Sequence, residues 1–291
     1  MNASSAFTLI FTGLLGLIIG SFLNVVIYRV PAGIPLTRPS QCPHCDAPVK
    51  PWQNVPVVSW LLLRGKCANC KSPISARYPL IELATGAAFV AVTWWVLGAF
   101  RLASLAQRPE GLLAQRPESS LAEPAVWVIL VAFLYLAAIS IALTMIDLDT
   151  HRLPNAIVLP SYLVIGILFT LACLLGAGWD ALLRAVIGGA AMFAFYWLLR
   201  LIRPGGMGGG DVKLAGVLGG ALAFVGWGPL VVGAFAAFLL GGVFGIALMI
   251  AGRAGRTSAI PFGPWMILGA WIGLFTGGNL SRWYLGLLGV G

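Results

Sequence analysis

Charged side chains are scarce in this chain, and acids are the scarcest. There are 18 Lys/Arg and nine Asp/Glu in 291 residues, 9% in all, where a soluble domain carries about 25%. With 59% hydrophobic residues, the deficit excludes an ordinary soluble core and fits a protein dissolved in lipid. No Gly-rich stretch ends in the Gly-Lys-Ser/Thr of a phosphate loop, and no Gly-x-Gly-x-x-G stands in a strand–helix setting, so neither motif of soluble nucleotide binding is present. The N-terminal flank of the first apolar stretch lacks positive charge, so that stretch reads as a retained helix rather than a cleaved signal.

What is present is a series of apolar runs near the ~20 residues a helix needs to cross a bilayer. The sequence predicts an all-α polytopic membrane protein of about eight spans, near 6–27, 80–100, 124–146, 156–178, 181–201, 212–228, 229–251 and 260–280. Glycine pairs inside these runs (Gly188-Gly189, Gly219-Gly220, Gly241-Gly242) are expected to let helices approach closely. The net charge of +9 is concentrated: seven Lys/Arg lie from Arg29 to Arg77 against the single acid Asp46. Beside spans, such a patch marks a cytoplasmic loop, and no nucleic-acid motif accompanies it. Placing the N-terminus outside puts 13 of the 18 Lys/Arg on the cytoplasmic side, the orientation that the positive-inside rule favours, with both termini periplasmic. Three regions are expected: a first helix over 1–28, a cytoplasmic loop over 29–79, and a membrane domain over 80–291. The outer loop 101–123 carries AQRPE twice, at 106–110 and 114–118. Two short copies are too few for a solenoid, and the loop reads as a solvated connector.

Four acids stand at or near cytoplasmic span ends: Glu82, Asp147, Asp149 and Asp211. A carboxylate at the membrane boundary is costly unless hydrated or paired, so each is a functional candidate. Asp147 closes the third span in TMIDLDTHRLPN, and Asp211 opens the sixth in PGGMGGGDVKLAG. The topology brings both to one face at similar depth. Two like charges a few ångströms apart cannot both ionise; the ionised member then activates water while the protonated one polarises a peptide carbonyl, which is the chemistry of aspartyl proteolysis. Gly208 and Gly210, without Cβ atoms, would let backbone approach a peptide substrate. Lys213 is either a positive-inside anchor or an electrostatic neighbour of Asp211. Asp149, two residues from Asp147, would face nearly the opposite way on a helix, and periodicity alone does not choose between the two.

The basic loop contains Cys42-Pro-His-Cys45 and Cys67-Ala-Asn-Cys70. Two Cys-x-x-Cys knuckles at this separation match a tetrahedral zinc site, and four thiolates leave no open position, so the expected role is structural. His44 is surplus to that set. A disulfide alternative suits the reducing side of the membrane poorly. Cys173, within the fourth span, reads as a small buried apolar residue.

These motifs, with GSFLNVVIYRVP at 20–31, NVPVVSWLLLRGKC at 54–67 and RYPLIE at 77–82, resemble bacterial type IV prepilin peptidases, in order and over most of the chain. GGGD at 208–211 is similar to that family's Gly-x-Gly-Asp motif, and the Asp147 run is similar to the family's Asp-Leu followed by Leu/Ile-Pro-Asn/Asp. The resemblance, which sets the first catalytic Asp seven residues before the Pro (here Pro154), implies Asp147 rather than Asp149. The resemblance implies a bifunctional inner-membrane enzyme. It would cleave the short basic leader of prepilins and type II secretion pseudopilins after Gly, then methylate the new N-terminus with S-adenosylmethionine. Asn24, Arg29, Trp60, Arg77 and Glu82 are the methyltransferase candidates by resemblance and location, each with an alternative role as an interfacial anchor or buried contact. A transporter would instead place its acids in broken helices near the midplane, and a non-enzymatic scaffold would leave the Asp147–Asp211 pairing unexplained.

Overall fold

The computed structural model describes residues 3–106, 124–203, 207–252 and 261–289. Nearly all of the AQRPE repeat lies outside them, as do Gly205, Gly206, Arg253 and Arg256. The described residues form nine α-helices: α1 (Ala3–Arg29), α2 (Val58–Leu62), α3 (Arg77–Ala106), α4 (Pro124–Thr150), α5 (Asn155–Ala172), α6 (Trp179–Ile202), α7 (Gly209–Val225), α8 (Trp227–Ile250) and α9 (Gly263–Leu287). Each of the eight expected spans overlaps a long helix, though the helical run breaks between α7 and α8 at Gly226 rather than after 228, and 156–178 kinks at Gly176. Six are long and apolar enough to cross a membrane: α1, α3, α4, α5 with its continuation to Ala177, α6 and α8.

The apolar composition explains where these helices end up. Phe7, Ile10, Leu14 and Ile18 on α1 and Leu183, Val186 and Ile187 on α6 are exposed, a waste of apolar surface in water but the normal outer face of a helix in lipid. α7 is the opposite case. It is only 17 residues long, rich in Gly and Ala, and buried on nearly every face. It packs mainly on α6 and also meets α5, α8 and α9, so small residues replace apolar bulk at the centre of the packing.

The chain divides into two compact units. The first contains α1, α2, α3 and the middle of α4 (Phe133–Ala142); the second contains both ends of α4 and everything from Leu143 onward. In the first, α1 and α3 pack closely because glycines face the neighbour: a Cβ on Gly16 would meet the Gly86 Cα at 2.8 Å, and one on Gly20 the Glu82 Cα at 2.7 Å. In the second, Gly189 lies against the backbone of Gly216 and Gly220, and Gly188 and Gly219 oppose one another, as expected for a close α6–α7 pair. Gly241 faces Phe262, whereas Gly242 faces open space.

Candidate active site and cysteine centre

α4 runs past Asp147 to Thr150 and stops where His151 turns left-handed, with φ 51°. Its last turn separates the two competing acids. Asp147 is 4% exposed, inside the second unit, while Asp149 lies on the exposed side of the same turn, as a 200° rotation between them requires. The Asp147 Oδ2 accepts a hydrogen bond at 3.1 Å from the Gly263 N–H, at the start of α9. A helix N-terminus presents unpaired N–H groups and a positive dipole end, so it holds a carboxylate well. Gly263 must lack a side chain, because a Cβ there would sit 2.7 Å from that same oxygen.

Asp211 occupies the first turn of α7 and is buried. Its Oδ2 accepts the Gly208 N–H at 3.0 Å, the reach-back of an acid at the third helical position to the residue capping the helix. Asp147 and Asp211 lie within electrostatic reach of one another. The two motif glycines have local reasons to be glycine. A Cβ on Gly208 would crowd the Asp211 Oδ2 at 3.0 Å, and one on Gly210 would meet the Leu153 Cβ at 2.7 Å. Leu153 also packs against Gly263, so a single side chain from the α4–α5 turn wedges between the two backbone segments that hold the carboxylates. The glycines therefore make room for the acid and for Leu153, a need the sequence reading had placed only in the substrate.

Lys213 points away from a simple ion pair. Its Nζ donates to the Asn155 Oδ1 at 2.9 Å, tying α7 to the start of α5, and the Tyr162 hydroxyl donates to its carbonyl. Sequence reasoning did not single out Gly263, Leu153 or Asn155 as site residues. Leu153 and Asn155 flank Pro154 in the Leu-Pro-Asn run, so a signal was there. Gly263 lies between Phe262 and Pro264 at a span boundary, and nothing in that setting alone announces a carboxylate partner.

In the first unit the four cysteines converge. The Sγ atoms of Cys42, Cys45, Cys67 and Cys70 all lie within 4.8 Å of one another, and all are free thiols. The Cys42–Cys70 separation is 3.8 Å, close to the edge of a tetrahedron with metal–sulfur bonds of about 2.3 Å. Two copies of one turn build the centre. Cys42 N–H bonds to the Ala47 carbonyl and Cys67 N–H to the Ser72 carbonyl, while Asp46 and Lys71, one residue past each second cysteine, donate back to Cys42 and Cys67. Asp46 and Lys71 take the same left-handed conformation, φ 54° and 59°, and a one-bridge pairing closes each knuckle, Gln41 with Pro48 and Lys66 with Pro73. Backbone donors favour the thiolate: the Cys42 thiol is pulled down to about 6, chiefly by the His44 N–H, with help from Cys45, Ser72 and Cys67 against some desolvation. Cys70 is also lowered, first by the Ser72 hydroxyl. The donor set fits a tetrahedral metal ion, and the four cysteines could hold one.

The remaining sequence candidates are spread over the first unit. The Arg29 guanidinium donates to the carbonyls of Pro35, Leu36 and Arg38 and to the Ser40 hydroxyl, folding the entrance of the loop back on α1. Trp60 donates its indole N–H to the Ile74 carbonyl at 3.1 Å and lies over Gly65. Asn24 donates to the Tyr78 carbonyl at 3.2 Å. Glu82 is buried and accepts the Val57 N–H at 2.7 Å; Val57 has φ 61°, a conformation a β-branched residue rarely adopts. Arg77 begins α3 and is half-buried.

The fold and the cysteine centre define a multi-pass, all-α membrane protein with a thiolate metal site in a polar loop. Residues 14–96 match the Bacterial Peptidase A24 N-terminal domain, and residues 126–246 match the Type IV leader peptidase family. Relatives agree over nearly the whole chain. One from Aeromonas hydrophila is 36% identical, covering 96% of this chain and 93% of its own length. One from Stutzerimonas stutzeri is 35% identical, covering 93% and 91%, and one from Neisseria gonorrhoeae is 37% identical, covering 97% and 95%. All three are named prepilin leader peptidase/N-methyltransferase. No solved structure matches. The chain belongs to the type IV leader peptidase family.

Proposed function

We propose that this protein is a bifunctional inner-membrane enzyme that cleaves prepilins and pseudopilins and methylates the exposed N-terminus, with Asp147 and Asp211 as the peptidase dyad. One observation carries the dyad. These two buried acids, 64 positions apart, reach each other's field while each spends Oδ2 on a glycine N–H of a helix start. In the resting pair one carboxyl keeps the proton. The ionised partner takes a proton from water as the oxygen attacks the scissile carbonyl, while the protonated acid donates to the carbonyl oxygen. The tetrahedral intermediate then expels the amine, which leaves with the proton held by the base. The glycine N–H bonds hold both acids in place throughout, so little reorganisation is needed at the moment of reaction.

Orientation follows from the charge distribution. With the Lys/Arg-rich loop in the cytoplasm, the dyad faces the same side, where a basic leader would meet it while the pilin helix stays in the bilayer. Zinc is the metal that suits four thiolates and a closed structural centre. Methyl transfer belongs to the first unit in this reading, around Glu82 and Asn24. All four of Asn24, Arg29, Trp60 and Glu82 bond to backbone of the 29–79 segment, and the buried Glu82 carboxylate is the negative group suited to a cationic methyl donor such as S-adenosylmethionine. That donor would supply the transferred methyl. The domain expectations of a first helix, a loop at 29–79 and a membrane peptidase region stand as part of the proposal.

The test is cleavage and methylation measured separately on purified enzyme. Asp147→Asn and Asp211→Asn should each stop leader cleavage while methylation of a pre-cleaved pilin continues. Normal cleavage by either variant would remove that residue from the dyad.

A further inference from the structure

Tyr196, on α6 in the second unit, is completely buried, yet its hydroxyl has no hydrogen-bond partner among the described residues. A buried unpaired hydroxyl carries its full desolvation cost, and a phenylalanine would fill the same space without it. Packing does not require the oxygen either. The ring is held by Phe195, Phe238 and Phe262, at centroid distances of 5.7, 5.4 and 6.2 Å.

Where the hydroxyl lies gives it a use. Met192, Tyr196 and Arg200 recur every four residues, so they share one face of α6. Met192 sits against Gly219 of α7, and Arg200 sits against Gly209 at its start. Tyr196, midway between them, therefore falls at the level of Asp211 and the turn that follows, and it lies within electrostatic reach of Asp211. On its other side it packs on Phe262, the residue before Gly263, whose N–H holds Asp147. By register, the ring thus lies between the first turns of α7 and the residue that precedes the support of Asp147.

We propose that Tyr196 is a substrate-contacting residue of the peptidase site, whose hydroxyl donates a hydrogen bond to the carbonyl oxygen of the scissile peptide. The idle donor waits for an acceptor that only the bound leader brings, and the bond strengthens as that oxygen gains charge in the tetrahedral intermediate. This rests on the Asp147–Asp211 reading of the site.

The experiment is Tyr196→Phe in the full-length enzyme, assayed with a prepilin peptide beside Asp211→Asn. Loss of one such donor is expected to lower kcat about 100-fold, with KM within about threefold. The thermal midpoint should be unchanged or raised, and the pH limbs of kcat should stay where they are. Wild-type kcat in Tyr196→Phe would overturn the proposal, as would a loss matched by a lowered thermal midpoint, which is a packing effect. A displaced pH limb would also overturn it, since that marks a group acting through Asp211. Cleavage by Asp211→Asn would bring down the dyad reading itself. An inactive Asp211→Asn beside a fully active Tyr196→Phe would remove the tyrosine alone.

Discussion

The cysteine centre of the first unit and the carboxylate pair of the second solve one problem at two ranges. Each gathers acidic groups, and each steadies them with backbone N–H donors: His44 and Cys45 at Cys42, Gly263 at Asp147, Gly208 at Asp211. The cysteine centre is local. Two similar knuckles within 29 positions of sequence (70 − 42 + 1) close on themselves through a repeated left-handed residue. The carboxylate pair is assembled from the end of α4 and the starts of α7 and α9, with the α4–α5 turn between them. A local site survives as long as its own loop does. A distributed one depends on backbone clearances measured in tenths of an ångström.

That contrast is open to breaking, beginning with the largest effect. Replacing Asp211 by Asn should reduce leader cleavage by about a thousandfold or more, as for other groups that act as a catalytic unit. Bound metal should stay at the wild-type level, read by metal analysis of the same preparation. Loss of both together would show that the two centres are not independent. Next, Gly263→Ala places a methyl group 2.7 Å from the Asp147 oxygen and should cost about 100-fold in kcat/KM; Gly210→Ala, pressing on Leu153, should cost about tenfold. If Gly263→Ala cleaves normally, the N–H at this helix start does not set the carboxylate.

At the other centre, Cys42→Ser should lose the metal and lower the thermal midpoint by several degrees while leaving measurable cleavage. The sign with pH follows from the ligands: metal binding must displace thiol protons, so metal content should fall as the pH is lowered. Metal content that does not change with pH would contradict a thiolate centre of this kind. Smallest of all, Lys213→Met removes the bond to Asn155 and should lower cleavage only a few-fold, seen as a change in kcat/KM. A complete loss would mean that Lys213 does more than tie α7 to α5.

The same contrast explains what was legible in the sequence. The eight long helices were visible because each apolar run is continuous and local. The cysteine cluster was visible because Cys-x-x-Cys spacing carries its geometry within a few residues. Asp147 and Asp211 stood out as acids at span ends, but periodicity could not rank Asp147 above Asp149. In the structure Asp147 is buried and Asp149 exposed, a difference that no periodicity encodes. Gly263 was not legible as a partner of Asp147, because the contact spans 116 positions and no local pattern encodes it. Gly208 and Gly210 were visible as glycines but not for their reason, since the atoms they make room for belong to Asp211 and Leu153.

The most direct measurement compares kcat/KM for leader cleavage in Asp147→Ala and Asp149→Ala on one prepilin, with thermal midpoints to confirm folding. The buried acid should lose about a thousandfold or more, and its exposed neighbour should stay within about threefold of wild type. Equal losses in the two, or near-normal cleavage by Asp147→Ala, would contradict the assignment.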